Sequence, residues 1–200
     1  MEAKFNQIIS RLNNFMSKGR VDHTIGVYNS ARWLGEIFLP DKLEELSLAA
    51  LMHDVAKELA EDDLLSLIES EEMALSEEDL ATPPALHSFA GVVLAKREFP
   101  DYVSDDILSA IFNHTLGQVG MSLFDKIIFI SDYIEDGRKA APCIEVRNYL
   151  KEALTADDVL NIRALDNAIV MAISHTESFV SSRGGKVNSR SIKLKNSLIK

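Results

Sequence analysis

Apolar positions recur at three- and four-residue steps along almost the whole chain, the period of an amphipathic helix and not of a strand. Residues 3–16 set Phe5, Ile8, Ile9, Leu12 and the pair Phe15/Met16 on one face. A second helix is predicted over 21–38; Pro40-Asp41 ends it and opens a third over 41–57. The acid-rich stretch 58–80 carries two short helical signals, near 62–69 and 76–80, the latter behind a Ser76…Asp79 variant of the capping box. Pro83-Pro84 opens a helix that Pro100 closes. Ser104 caps a helix over 105–116, Gly117 and Gly120 interrupt the chain, and Ser122 starts another helix to about Asp136. A shorter helix over 143–154 precedes a long one from Asp157 or Asp158 to about Ser182, ended by Gly184-Gly185. No segment alternates as a strand does, so the expected fold class is all-α, a helical bundle.

Composition narrows this picture. A chain of 200 residues, 46% hydrophobic and 26% charged, suits one globular domain, expected over 1–182. The longest apolar runs are about the size of Ala168–Ile173, far short of the roughly 18 residues of a membrane span. The start of the chain is amphipathic and mixed in charge, unlike a secretory signal. The single cysteine, Cys143, excludes an intrachain disulfide and a thiolate metal cluster and points to a reducing, cytoplasmic setting. It reads as a packed residue, as does Trp33. Net charge is −10, but residues 183–200 hold six bases and no acid, so residues 1–182 carry −16. The tail is expected to be a solvated, mobile arm. The body should repel nucleic acid, and a polyanionic substrate would need a local cationic centre, which a bound metal pair supplies.

The histidines locate that centre. His53 follows Leu46, Ala49 and Ala50 on its helix; His114 follows Ile107, Ala110 and Ile111; His87 precedes Ala90, Gly91 and Leu94; His23 precedes Gly26 and Val27. All four lie on apolar, inward stripes. Asp132, within Ile127–Ile134, and Asp54, beside His53, place carboxylates near the same apolar surface, at a cost unless they are paired or metal-bound. One histidine so placed is ordinarily a hydrogen-bonded core residue. Four with two acids would need several separate polar partners, whereas one dinuclear site satisfies them together. Imidazole and carboxylate donors suit iron, manganese, cobalt or zinc. Adjacent helical residues point about 100° apart, so His53 and Asp54 share a site only across a helix end or edge. Lys57, one turn on, can reach a phosphate oxygen. His175, on a stripe with Ala168, Met171 and Phe179, reads as a core or interface residue.

The ordered series His23 … His53-Asp54 … His87 … His114 … Asp132, with the stretches AALMHDVAKEL (49–59) and NHTLGQVGMSLFDKIIFISDYIEDGR (113–138), resembles the HD-domain metal-dependent phosphohydrolases. Its wording is similar to the bacterial YqeK-type branch, the symmetrical bis(5′-nucleosyl)-tetraphosphatases. The resemblance covers roughly residues 10–180. It implies an HD-domain helical bundle around a buried dinuclear site. His23, His53, Asp54 and Asp132 would hold one divalent ion, and Asp54 would bridge to a second held by His87 and His114. It further implies iron as the usual metal and cleavage of diadenosine tetraphosphate into two ADP, with no nucleic-acid or membrane partner; a homodimer is compatible with it. Asp54 and Lys57 are the candidate catalytic residues, and Arg20, Lys57, Thr115, Lys126 and Arg138 the candidate substrate contacts. Ser88-Phe89, Leu116 and Asp136 depart from the branch's usual pattern; none is a candidate ligand. Two rival readings are a phosphatase of mononucleotides on the same metals and a nucleotide-binding module without turnover. The second would be expected to lack a ligand, and all six are present.

Overall fold

The computed structural model describes residues 2–71, 73–154 and 158–199. Among them are eleven α-helices and no strand: α1 Glu2–Leu12, α2 Lys18–Phe38, α3 Leu43–Met52, α4 Glu61–Glu69, α5 Glu77–Leu80, α6 Pro83–Glu98, α7 Asp105–Asn113, α8 Leu123–Ile134, α9 Ala141–Ala153, α10 Asp158–Ser182 and α11 Ser189–Leu198. None is long and apolar enough to cross a membrane. The all-α expectation holds, and the caps explain several boundaries. Ser17, Ser104 and Ser122 each accept a backbone N–H of the first turn that follows, which satisfies a donor the helix itself leaves free. Ser76 and Asp79 form the reciprocal capping box.

α2 packs against α3 and α8, α7 joins α3, α6 and α8, α4 covers α6, and α10 lies on α8 and α9. The core is continuous through these contacts: Val27, Ala31 and Leu34 of α2 meet the buried faces of α3 and α8, where Leu46, Ala50, Ile127 and Ile130 are fully enclosed. α2 and α3 approach closely because Gly35 has no side chain; a Cβ there would stand 2.7 Å from Leu46 Cδ1.

Two predicted helices end early, and both differences serve the site. The helix expected over 41–57 stops at Met52, and residues 53–58 continue as turns, with Val55 N–H on Met52 O at 3.0 Å and Lys57 N–H on Asp54 O at 2.9 Å. The helix expected over 105–116 stops at Asn113, one residue before His114. His53 and His114 keep right-handed helical backbone angles but stand at the ends of their helices, where the neighbours His53 and Asp54 can both reach a target lying across the helix end.

The tail also differs from expectation. Residues 189–198 form α11, whose Leu194 is 1% exposed and packs over Gly117. Gly117 has φ +64°, and a Cβ there would stand 2.4 Å from Leu194, so both its backbone and its neighbour require glycine. Ser191 Oγ donates to Leu116 O at 2.7 Å. Arg190 forks onto buried Asp79, with Nη2 2.7 Å and Nε 3.3 Å from its two oxygens, and lies over the Phe112 ring. Asn188 Nδ2 reaches Asp79 Oδ1 at 3.1 Å. Charge counting misses this docking because one of the six bases finds a buried acid and two apolar side chains of the tail find the core.

Burial alone would raise the Asp79 carboxyl, but hydrogen bonds from Arg190 and Ser76 outweigh it and hold the group at about 2, against an ordinary 3.8. A lowered native value stabilises the fold above the ordinary pKa and is lost as pH falls towards 2, and the difference is worth about 2 kcal/mol. Arg190→Met is expected to cost about 2–4 kcal/mol at pH 7. The gap from the wild type should narrow between pH 4 and pH 2, as seen by urea unfolding. A gap independent of pH would contradict the role given to the pair.

Candidate metal centre

Helix ends and inner faces deliver all six predicted ligands to one place. His23 comes from the second turn of α2, His53 and Asp54 from the turn that ends α3, and His87 from the second turn of α6. His114 stands just beyond α7, and Asp132 in the last turn of α8. His53, Asp54, His87 and His114 are each at most 3% exposed.

The Asp54 carboxylate is divided between two histidine pairs. Its Oδ1 lies 3.1 Å from His87 Nε2 and 3.5 Å from His114 Nε2. Its Oδ2 lies 3.5 Å from His53 Nε2 and 3.7 Å from His23 Nε2. Asp132 Oδ1 adds to the second group, 3.0 Å from His23 Nε2 and 3.9 Å from His53 Nε2. His23, His53 and Asp54 thus form one cluster with donor atoms within 4.8 Å of one another, and Asp54, His87 and His114 a second. Donors about 2.1 Å from a shared ion stand roughly 3–3.5 Å apart, so both clusters have the right scale.

Hydrogen bonds at the far side of the rings set the tautomers. His53 Nδ1 lies 2.7 Å from Ala50 O, and His114 Nδ1 lies 2.7 Å from Ile111 O. A carbonyl only accepts, so each Nδ1 carries the proton and each Nε2 presents a lone pair to the centre. Nε2 of both His23 and His53 is buried with no hydrogen-bond partner among the described residues. Orphaned buried ring nitrogens are costly unless something takes their lone pairs. Burial pushes His87 down to about 4 and His114 down as well, which keeps both imidazoles neutral near pH 7. Burial opposes ionisation of Asp54, but His53, His114 and His87 outweigh it and hold the carboxyl well below its usual range. Asp132 is held low in the same way by His23 and Arg138. At His53 the Asp54 and Asp132 carboxylates outweigh burial and push the imidazole up. Imidazole nitrogens and ionised carboxylates are a donor set that suits a divalent cation, which would displace the proton His53 takes up beside those carboxylates.

Cations ring the cluster. Arg20 Nη1 lies 2.9 Å from Asp54 Oδ2, Arg138 reaches both Asp132 Oδ1 and Asp132 O, and Lys57 Nζ lies 3.2 Å from His87 Nε2. Burial pushes the Lys57 ammonium down. Thr115 Oγ1 is 3.2 Å from His87 Nε2. Lys126 departs from expectation: it pairs with Asp166 at 2.7 Å, about two helical turns from Asp132, and does not join the ring. His175 also stands apart, near Tyr133 Oη at 3.4 Å and Glu145 at 3.6 Å. Trp33 is only half-buried and lines a cavity of about 200 Å³ with Asn29 and Arg147.

Sequence reasoning missed Glu135. This carboxylate is 3% exposed and its Oε1 lies 3.2 Å from His23 Nδ1, while its Oε2 accepts the Gly137 N–H at 2.5 Å. It therefore orients His23 as the carbonyls orient His53 and His114. Gly26 makes the room: a Cβ there would stand 2.3 Å from Glu135 Oε2. Arg147 fixes the backbone beneath, donating to the carbonyls of Ile134, Glu135 and Arg138. The available signal was Gly26, one turn on from His23 and facing the same way.

Comparison with known proteins agrees with this geometry. Residues 20–137 match the model of the HD domain. The symmetrical bis(5′-nucleosyl)-tetraphosphatase of Bacillus subtilis (strain 168) is 33% identical over 172 residues, 86% of this chain and 85% of that one. Its namesake in Halalkalibacterium halodurans is 31% identical over 167 residues, 82% of this chain and 81% of that one. The crystal structure of a predicted HD superfamily hydrolase involved in NAD metabolism from Clostridium acetobutylicum superposes with a TM-score of 0.85 at 33% identity. It covers 98% of this chain and 96% of that one. The chain belongs to the HD-domain family, within the branch whose members are the symmetrical bis(5′-nucleosyl)-tetraphosphatases.

Proposed function

We propose that this chain hydrolyses dinucleoside polyphosphates, diadenosine tetraphosphate above all, in the middle to give two nucleoside diphosphates. The observation that carries the reading is the Asp54 carboxylate shared between two histidine pairs inside a ring of cations. His23, His53, Asp54 and Asp132 would hold one divalent ion, and Asp54, His87 and His114 a second; iron is the first candidate, with manganese, cobalt or zinc as alternatives. When bound, such a pair supplies charge neutralisation of phosphate oxygens and an activated water at neutral pH.

The chain's own side chains do the rest. Arg20, Lys57 and Arg138 bring three positive charges to the mouth of the centre and orient the polyphosphate so that a phosphorus beside its central bridging oxygen faces the site. Thr115 offers a hydroxyl beside His87 to the same phosphates. The leaving group is the terminal phosphate of a nucleoside diphosphate, stable as an anion, so no covalent enzyme intermediate is required. Asp54 and Asp132 keep the ions in place, and Glu135, through His23, keeps the first of them aligned. Arg20 and Arg138 are spaced by their pairs with Asp54 and Asp132, which aims each guanidinium before substrate arrives. A single cysteine fits a cytoplasmic setting.

Two measurements test this. Metal analysis of protein purified without chelator should find about two divalent ions per chain, and Asp54→Ala should lose them. Its turnover should fall more than ~100-fold while its far-UV circular dichroism remains helical. A variant that kept both ions and full turnover would contradict the bridging role. Hydrolysis of diadenosine tetraphosphate should release ADP as the only nucleotide product; AMP together with ATP would contradict cleavage at the centre.

A further inference from the structure

A cavity of about 300 Å³ opens directly beside the metal centre, between the turn after α3 and the start of α6. Its inner end is made by Lys57 and His87, the same groups that border the shared carboxylate. Its walls are of a different kind. Leu59, Leu64, Pro83 and Pro84 line the rest of it, and none of these side chains offers a polar atom. Prolines also lack the N–H that a phosphate would seek. Glu61 stands exposed at the rim.

We infer that this cavity is the subsite for the nucleoside of one half of the substrate, a reading that rests on the proposed polyphosphate hydrolysis. The order of groups from inside to outside matches the order of groups in a nucleoside polyphosphate. The phosphates lie inward, beside the Lys57 ammonium. The heterocycle packs against the apolar side chains of Leu59 and Pro83-Pro84. The Glu61 carboxylate repels phosphate and accepts hydrogen bonds from ribose hydroxyls or from an exocyclic amino group. The volume is at the low end of the ~300–1,000 Å³ found for small-molecule sites, so it suits one nucleoside and not two. The walls are fixed from behind, since Leu64 is 6% exposed and Ile68 4%, on the face of α4 that packs against α6. A subsite on one side of the centre recognises the base of one half, while Arg20 and Arg138 hold the phosphates of the other by charge alone.

The test uses full-length, manganese-loaded protein and two ligands, ADP and inorganic pyrophosphate, titrated by calorimetry. The wild type should bind ADP about tenfold or more tightly than pyrophosphate. Leu59→Ala and, separately, the exposed-site variant Glu61→Gln should each weaken ADP binding about five- to tenfold and leave pyrophosphate within twofold. KM for diadenosine tetraphosphate should rise by the same factor with kcat little changed. Equal affinity for the two ligands in the wild type, unaltered ADP binding in both variants, or parallel weakening of both ligands would each overturn the assignment. ADP-selective binding combined with AMP and ATP as products would instead refute symmetrical cleavage and leave the subsite standing.

Discussion

A carboxylate buried to 3% exposure among four imidazoles is the constraint on which the rest of this structure depends. Ionised and dry, Asp54 would cost the fold several kcal/mol if nothing opposed it. Arg20 offsets part of that charge at 2.9 Å, and the histidines arrange their Nε2 atoms around both its oxygens. The helix ends make this possible. α3 and α7 both stop one residue short of a candidate ligand histidine, and in both the ring anchors its Nδ1 on a carbonyl three residues back. The same local device used twice turns two helix ends into two fixed rings whose Nε2 atoms face Asp54.

The organisation of the bundle was legible in the sequence because helical periodicity and serine caps are local signals. Ser76, Ser104 and Ser122 mark three starts, and each side chain accepts a backbone N–H that its helix leaves free. The six ligand candidates were legible because polar residues on apolar faces have to be explained, and their convergence is visible only once the helices are stacked. Early helix ends at Met52 and Asn113 were not legible, since the apolar pattern runs on through His53-Asp54 and through Leu116.

Glu135 and the tail show the other limit. Glu135 follows the last residue of α8 and belongs to no periodic face, so nothing in its neighbourhood announces burial; the gap at Gly26, 109 positions earlier, is what admits it. The tail's six bases and no acid suggest a solvated arm, yet Arg190 finds Asp79 across 111 residues and Leu194 finds the space above Gly117. Lys126 stands outside the ring of cations for the same reason, because its partner, Asp166, lies 40 residues away. Contacts of this range are decided by packing.

The electrostatic arrangement joins fold to function. A body carrying −16 over residues 1–182 would hold a polyphosphate at a distance, and the cluster of Arg20, Lys57 and Arg138 around the candidate metal centre opposes that field at one point. The most direct test of this account is anomalous diffraction from crystals of the manganese-loaded protein, recorded on either side of the manganese edge. The account predicts two peaks about 3.5–4 Å apart on either side of the Asp54 carboxylate, one against His23, His53 and Asp132, the other against His87 and His114. A single peak, or peaks away from Asp54, would contradict it.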